Sequence, residues 1–148
     1  MNKIILVTSC FLIFFIETSS IKKELFTCPF KNGILIKQNI DSITRNKVIN
    51  PRRSVEITGS ADRVFSISTG DVEKVIKNDN TFLVAVRSSR YTIIYENLDS
   101  AYISEKQKIT MGKLIGVSNS KKIELTIAKD GIQLMNPEKL LDCKCKNK

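Results

Sequence analysis

Hydrophobic and polar residues alternate most regularly near the end of the chain. In residues 122–128 the apolar Ile123, Leu125 and Ile127 alternate with polar side chains, which is the period of a strand with one buried face. Residues 129–131 read Lys-Asp-Gly, and glycine adopts the positive φ that a tight turn requires. A short apolar run follows at residues 132–135. The pattern predicts a β-hairpin.

Similar short runs, rich in β-branched and aromatic residues, recur at near-regular spacing. They cover residues 55–57, 63–68, 72–77, 82–87, 91–98 and 114–118. Turn-forming residues separate them at 58–62, 69–71, 78–80, 88–90 and 119–120. Many short strands with turns between them predict an all-β domain of packed antiparallel sheets. Asn136 and Pro137 predict one short C-terminal helical turn, because asparagine caps helices and proline favours their first position.

Residues 1–20 have the pattern of a signal peptide. Lys3 supplies a positive start, residues 4–16 form an apolar run too short to span a bilayer comfortably, and residues 18–20 are small. Two alternatives stay open: an uncleaved anchor, and lipidation at Cys10 within a lipobox-like sequence. We therefore expect an exported protein of the periplasm or cell envelope, attached to the membrane only through an uncleaved signal or a lipid anchor.

The rest of the chain divides into three parts. Residues 21–51 are irregular and predict an extended lead-in with one short strand at 33–36. Residues 52–141 carry the strand pattern of the predicted domain, and residues 142–148 form a tail of cysteine and lysine. A chain of 148 residues with 42% hydrophobic residues has room for one core of ordinary size.

The chain is basic, with 24 Lys and Arg against 15 Asp and Glu, a net charge of +9. Such a balance favours contact with anionic polymers or surfaces. Export argues against nucleic acid, so peptidoglycan or an envelope protein is the expected partner.

Three cysteines follow the predicted signal peptide: Cys28, Cys143 and Cys145. Two of them are expected to pair in an oxidising compartment. Because a ring closed between Cys143 and Cys145 would be very small, we predict a disulfide between Cys28 and either of them, which leaves one thiol.

A series of short motifs in residues 52–141 resembles the lysostaphin-type, LytM-like zinc peptidoglycan endopeptidases. Residues 95–98 (Tyr-Glu-Asn-Leu) are similar to the family's Tyr-x-His-Leu, and residues 109–116 end in its Gly-x-x-Ile-Gly turn. Residues 122–126 stand where the family has His-Leu-His-Phe-Glu, and Asp-Gly at 130–131 and Asn-Pro at 136–137 close the series. The resemblance implies the family's fold, a duplicated hybrid (barrel-sandwich) of antiparallel sheets.

The motifs lack the residues that perform the family's chemistry. The family holds zinc with two histidines and an aspartate, and further histidines position the substrate. This chain has no histidine, and the matching positions are Arg52, Glu56, Asn97, Lys122 and Glu124. Cations at Arg52 and Lys122 oppose a divalent metal. The resemblance therefore implies the fold without zinc, without another cofactor and without a catalytic residue.

The same positions, together with Tyr95, are predicted to line a binding groove. Arg52 and Lys122 suit an anionic ligand there, but they equally suit internal ion pairs with Glu56 and Glu124 that close the groove. Tyr95 shares a strand face with Ile93, which also fits a core position.

Other catalytic templates find no support in the sequence. A serine or cysteine nucleophile usually needs a histidine base, and no glycine-rich phosphate loop occurs. The leading hypothesis is a noncatalytic cell-envelope protein, a pseudoenzyme of the metalloendopeptidase family that binds peptidoglycan or a wall-hydrolase partner. The alternatives are a residual or unconventional peptidoglycan hydrolase and a purely structural envelope subunit.

Overall fold

The computed structural model describes residues 26–36 and 54–146. The predicted signal peptide at 1–20 and Arg52 lie outside the described residues, as does the side chain of Cys145. The strands are β1 (Phe26–Thr27), β2 (Ile34–Ile36), β3 (Ser54–Thr58), β4 (Arg63–Phe65), β5 (Gly70–Asn78), β6 (Thr81–Ser88), β7 (Tyr91–Leu98), β8 (Ser100–Ala101), β9 (Lys108–Ile109), β10 (Leu114–Val117), β11 (Lys122–Lys129), β12 (Gln133–Leu134), β13 (Leu141–Asp142) and β14 (Lys144–Lys146).

The long strands form one large, mainly antiparallel sheet in the order β14-β2-β3-β11-β7-β6-β5-β9, and β12 pairs with β11. Strands β5, β6 and β7 follow one another as hairpins whose turns contain Asp79 (φ 48°) and Ser89 (φ 51°). Short polar residues tolerate the left-handed region better than bulky ones. The turn residues predicted between these strands therefore lie where the chain reverses.

A smaller sheet in the order β4-β10-β8 completes the domain, and β1 pairs with β13 in a separate parallel pair. Both sheets contribute to one core: Val64 and Ile115 come from the small sheet, and Ile93, Tyr95 and Leu125 from the large one, all with 0% exposure. Along β7 and β11 these inward positions recur at every second residue, as the period of two requires. The all-β prediction is confirmed.

The C-terminal hairpin and the helical turn also agree with the sequence. Strand β11 returns as β12 through Asp130 (φ 51°) and Gly131 (φ 77°), the positive angles of a tight hairpin turn. A 3₁₀ turn follows at Pro137–Lys139, and the Asn136 side chain accepts a hydrogen bond from the Glu138 backbone N–H at 3.0 Å.

A disulfide joins Cys28 to Cys143, with the two Cα atoms 5.0 Å apart. It confirms the predicted partner set and selects Cys143 over Cys145. Strand β2 from the predicted lead-in and β14 from the predicted tail pair with each other in parallel and extend the large sheet. Among residues 26–36 and 54–146 there is no helix of the length and apolarity that crossing a membrane would need.

Among residues 26–36 and 54–146, the outer edge of β5 is only partly paired. Strand β9 covers Gly70 and Asp71, and the register with β6 shifts between Val72 and Lys74, which marks a β-bulge. Farther along, the Val75 backbone N–H donates to the Glu105 carboxylate at 3.2 Å, and the Lys74 ammonium lies 3.9 Å from the same carboxylate.

Candidate functional site

Strand register brings three glutamates into one row on the large sheet. Glu124 of β11 is the Cα partner of Glu56 on β3 and of Glu96 on β7. Residues paired directly across strands share a face, and all three side chains are partly exposed. We call Glu56, Glu124 and Glu96 the glutamate row.

Two contacts offset the negative charge of this row. The Lys122 ammonium lies 3.4 Å from Oε1 of Glu56, and the Ser54 hydroxyl donates a hydrogen bond to the Glu124 carboxylate. Like charges directly opposite each other destabilise a strand pair, so a cation and a hydroxyl donor at this place favour the fold. The internal ion pair expected from the sequence as an alternative to ligand binding is present for Lys122 and Glu56.

Tyr95 belongs to the core and does not line the face of the glutamate row. It is the Cα partner of buried Leu125, it is 0% exposed, and its hydroxyl oxygen accepts a hydrogen bond from the Ile67 backbone N–H at 2.9 Å. Burial raises the pKa of Tyr95 to about 12, because the charged phenolate would be desolvated. The side chain therefore ties the large sheet to the segment after β4.

The other two residues expected to line the groove are Asn97 and Arg52. Asn97 is exposed and has φ of 66°, and Arg52 lies outside the described residues. A shallow groove of about 540 Å³ lies elsewhere, at the β5 bulge, where it is lined by Asp71, Val72, Glu73, Lys74 and Lys106. None of the predicted groove residues is part of that lining.

The residues at the glutamate row do not fit a zinc ion of the family's type. The chain has no histidine, Glu56 is paired with an ammonium group, and Glu124 accepts from a serine hydroxyl. Within the described part of the chain, no group of three or more His, Cys, Asp or Glu side chains is arranged to hold a metal ion. An ammonium group among the donors opposes a divalent cation electrostatically.

Two members of this site were not identified from the sequence. Ser54 and Glu96 do not stand at ligand positions of the motifs, and Glu96 fills the variable position of the Tyr-x-His-Leu-like segment. The register of β3, β11 and β7 places both residues beside Glu124. Because successive side chains of a strand point to opposite faces, Glu96 lies on the face opposite Tyr95. Knowing in addition that β7 pairs with β11 would have identified Glu96 as a neighbour of Glu124.

Replacing Lys122 by alanine is expected to lower the free energy of unfolding by less than about 1 kcal/mol, since exposed ion pairs contribute little. The Lys122 and Glu56 side chains are 52% and 38% exposed. Urea unfolding of Lys122→Ala beside Lys108→Ala, an exposed strand lysine, measures the difference. A loss above about 2 kcal/mol would show that the sheet depends on this cation far more than an exposed pair allows.

Comparison with known proteins gives matches in structure only. No family model matches the chain, and no curated protein matches it in sequence. A putative M23 peptidase from Pseudomonas aeruginosa has a TM-score of 0.62 and 11% identity, over 80% of this chain and 51% of that one. The catalytic domain of the prophage-encoded M23 protein EnpA from Enterococcus faecalis has a TM-score of 0.56 and 13% identity, over 76% and 95% of the two chains.

A chain of the SpoIIQ-SpoIIIAH pore-forming complex is similar to the same extent, with a TM-score of 0.60 and 18% identity over 81% of this chain and 92% of that one. Identities this low support a shared fold and leave activity to be argued from the site. The chain therefore has the fold of the M23, lysostaphin-type peptidases.

Proposed function

We propose that this chain is a noncatalytic protein of the cell envelope that uses the M23 peptidase fold for binding. The proposed partner is another envelope protein, with peptidoglycan as the second candidate ligand. Residual hydrolysis is the alternative that the experiment below must exclude.

The contacts of the glutamate row support this proposal most directly. A zinc hydrolase needs open donor atoms and a metal-bound water. Here the Lys122 ammonium is paired with Glu56, and Glu124 accepts from the Ser54 hydroxyl. These contacts stabilise the sheet. The chain contains no histidine that could act as a base beside them.

Similarity to the pore-forming complex favours a protein partner over peptidoglycan. The matched chain in that structure is part of an assembly, and this chain covers 92% of it. A second structure of a SpoIIIAH and SpoIIQ complex matches with a TM-score of 0.60 over 97% of that chain. A peptidase fold that takes part in a protein complex is thus a precedent for the role proposed here.

Purified protein is expected to contain no stoichiometric zinc and to release no muropeptides from sacculi. Elemental analysis and chromatography of the soluble products measure the two quantities, with an active M23 peptidase as the positive control. About one zinc per chain together with released muropeptides would refute the noncatalytic proposal. A Glu124→Ala variant beside Glu138→Ala, outside the row, would then show whether the row performs the cleavage.

Crosslinking in intact envelopes followed by identification of the captured species distinguishes the two candidate ligands. A specific protein crosslinked in stoichiometric yield is the expected result. Quantitative sedimentation of the purified protein with sacculi, without any crosslinked protein, would assign peptidoglycan instead.

A further inference from the structure

Four chain segments that are distant in sequence meet at one end of the domain. They are residues 28–33, 59–63, 118–122 and 143–144, and we call their assembly the basic end. Backbone N–H groups of Gly59, Ser118 and Lys144 donate to the carbonyl oxygens of Lys121, Asp62 and Gly33 at 2.8, 2.8 and 3.2 Å. The disulfide between Cys28 and Cys143 fastens the first segment to the last. The basic end is therefore held as a rigid unit.

Cations dominate this unit. Its segments contain one acidic residue, Asp62, and five basic residues, and all six side chains are exposed. The basic residues are Lys31, Arg63, Lys121, Lys122 and Lys144. Apart from Lys122, which is paired with Glu56, none of the five has an ion-pair partner in residues 26–36 and 54–146.

Three further carboxylates border the basic end, so five cations and four acidic groups lie there in all, and a small positive excess remains. Glu56 is already paired with Lys122, and the Asp99 carboxylate accepts from the Asn119 backbone N–H at 2.6 Å. Asp142 stands immediately before Cys143. Two arginines elsewhere in the described part of the domain are paired locally, Arg87 with Glu73 and Arg90 with Asp130, each at 2.9 Å or less.

The chemistry of the basic end fits a broad anionic surface. Four of its five cations are lysines, which act as flexible point charges and lack the planar fork that arginine offers to a single carboxylate. They come from four separate segments, so they spread across the end of the domain and do not follow one strand. A layer of lipid phosphates presents negative charge in the same extended way.

In the alternative in which residues 1–20 stay attached as an anchor, the N-terminal sequence adds a second reason to choose a membrane. Residues 4–16 form an apolar run, Lys22 and Lys23 follow it, and Phe26 enters the described domain two residues before Cys28. Residues 17–25 can extend to about 30 Å. A single weak membrane anchor gives marginal attachment, and a polybasic patch is a common second contact.

From these observations we propose that the basic end docks on the anionic phosphate headgroups of a lipid bilayer. The contact is electrostatic and is separate from the envelope partner proposed above. It weakens as salt rises, because the screening length falls to about 8 Å at physiological ionic strength. Each lysine near such a surface changes the partition coefficient by about fivefold.

The test measures partition of the full-length chain onto vesicles by sedimentation. Phosphatidylcholine vesicles with added phosphatidylglycerol are compared with phosphatidylcholine alone, at low and physiological salt. The test variant changes Lys31, Lys121 and Lys144 to glutamine. The control variant changes Lys108, Lys113 and Lys139, three exposed lysines outside the basic end, to glutamine. It has the same net charge as the test variant.

The test variant is expected to lose about 100-fold of its partition onto phosphatidylglycerol vesicles, while the control loses less than about fivefold. Equal losses in the two variants would refute a docking surface at the basic end, as would equal binding to both vesicle types. Unchanged vesicle partition in the test variant, together with a loss of co-sedimentation with sacculi, would assign the cations to a wall polymer and also refute the proposal. Thermal unfolding is measured for the wild type, the test variant, the control variant and Arg63→Gln. Equal unfolding temperatures show that a variant has lost vesicle binding without losing its fold.

Discussion

Replacing Cys28 and Cys143 by serine is expected to lower the free energy of unfolding by about 4 kcal/mol. The bridge closes a loop with a sequence separation of 115, and the chain-entropy model relates the stabilisation to the length of the closed loop. The strands of the segment that it holds are short: β1 and β13 pair over two residues, and β2 pairs over three with β3 and over three with β14. Losing the bridge therefore also weakens the edge of the large sheet.

Urea unfolding of the oxidised protein and of the double serine variant measures this difference. Cys145→Ser is the matched control and is expected to unfold like the wild type, since Cys143 is the bonded partner. If Cys145→Ser were the destabilised variant and Cys143→Ser were neutral, the bridge would run from Cys28 to Cys145 instead.

Gly116→Ala is expected to destabilise the domain by about 3 kcal/mol, at the upper end of the usual overpacking cost. Gly116 of β10 pairs with Ala101 of β8, and a Cβ atom there would overlap the backbone carbonyl oxygen of Ser100. Backbone of a paired strand cannot move aside without breaking the small sheet. Close strand approach therefore explains the last glycine of the Gly-x-x-Ile-Gly turn.

Gly112 in the same motif offers a control with a different cause. No atom lies within 4 Å of a Cβ built on Gly112, but its φ is 81°, where an alanine is strained by about 1 kcal/mol. Thermal and urea unfolding of the two alanine variants should therefore give a clearly lower free energy of unfolding for Gly116→Ala than for Gly112→Ala. The reverse order would mean that β8 yields easily and that the turn conformation is the stronger constraint.

The long strands were predictable because their burial is periodic. In β7 and β11 the apolar residues recur at every second position, Ile93 and Tyr95 in the one and Ile123, Leu125 and Ile127 in the other, and this was enough to identify the strands. Thr126 and Ala128 on the other face of β11 are buried as well. Two-residue strands such as β8 and β9 contain no period. They form because longer neighbouring strands offer them backbone hydrogen-bond partners. Pairing with strands that are distant in sequence cannot be predicted from a short stretch of residues.

Some residues of the candidate site could likewise be identified from the sequence, and others only from the structure. Glu56, Lys122 and Glu124, which were selected by their positions in the motifs, lie on one face of the sheet, whereas Tyr95 lies in the core. Ser54 and Glu96 became visible only through the strand register. The basic end was not foreseen at all, because its cations come from four segments that fold together only through long-range hydrogen bonds and a disulfide.

The partly paired edge of β5 has a consequence for solubility. A free strand edge is a template on which other chains can add as strands, and natural proteins protect it with bulges, lysines and inward-facing acidic groups. Strand β5 has a bulge at the register shift after Val72 and exposed lysines at 74 and 77, and the exposed Glu105 carboxylate accepts a hydrogen bond from the Val75 N–H. The domain can therefore leave this edge without a covering strand and still resist aggregation through it.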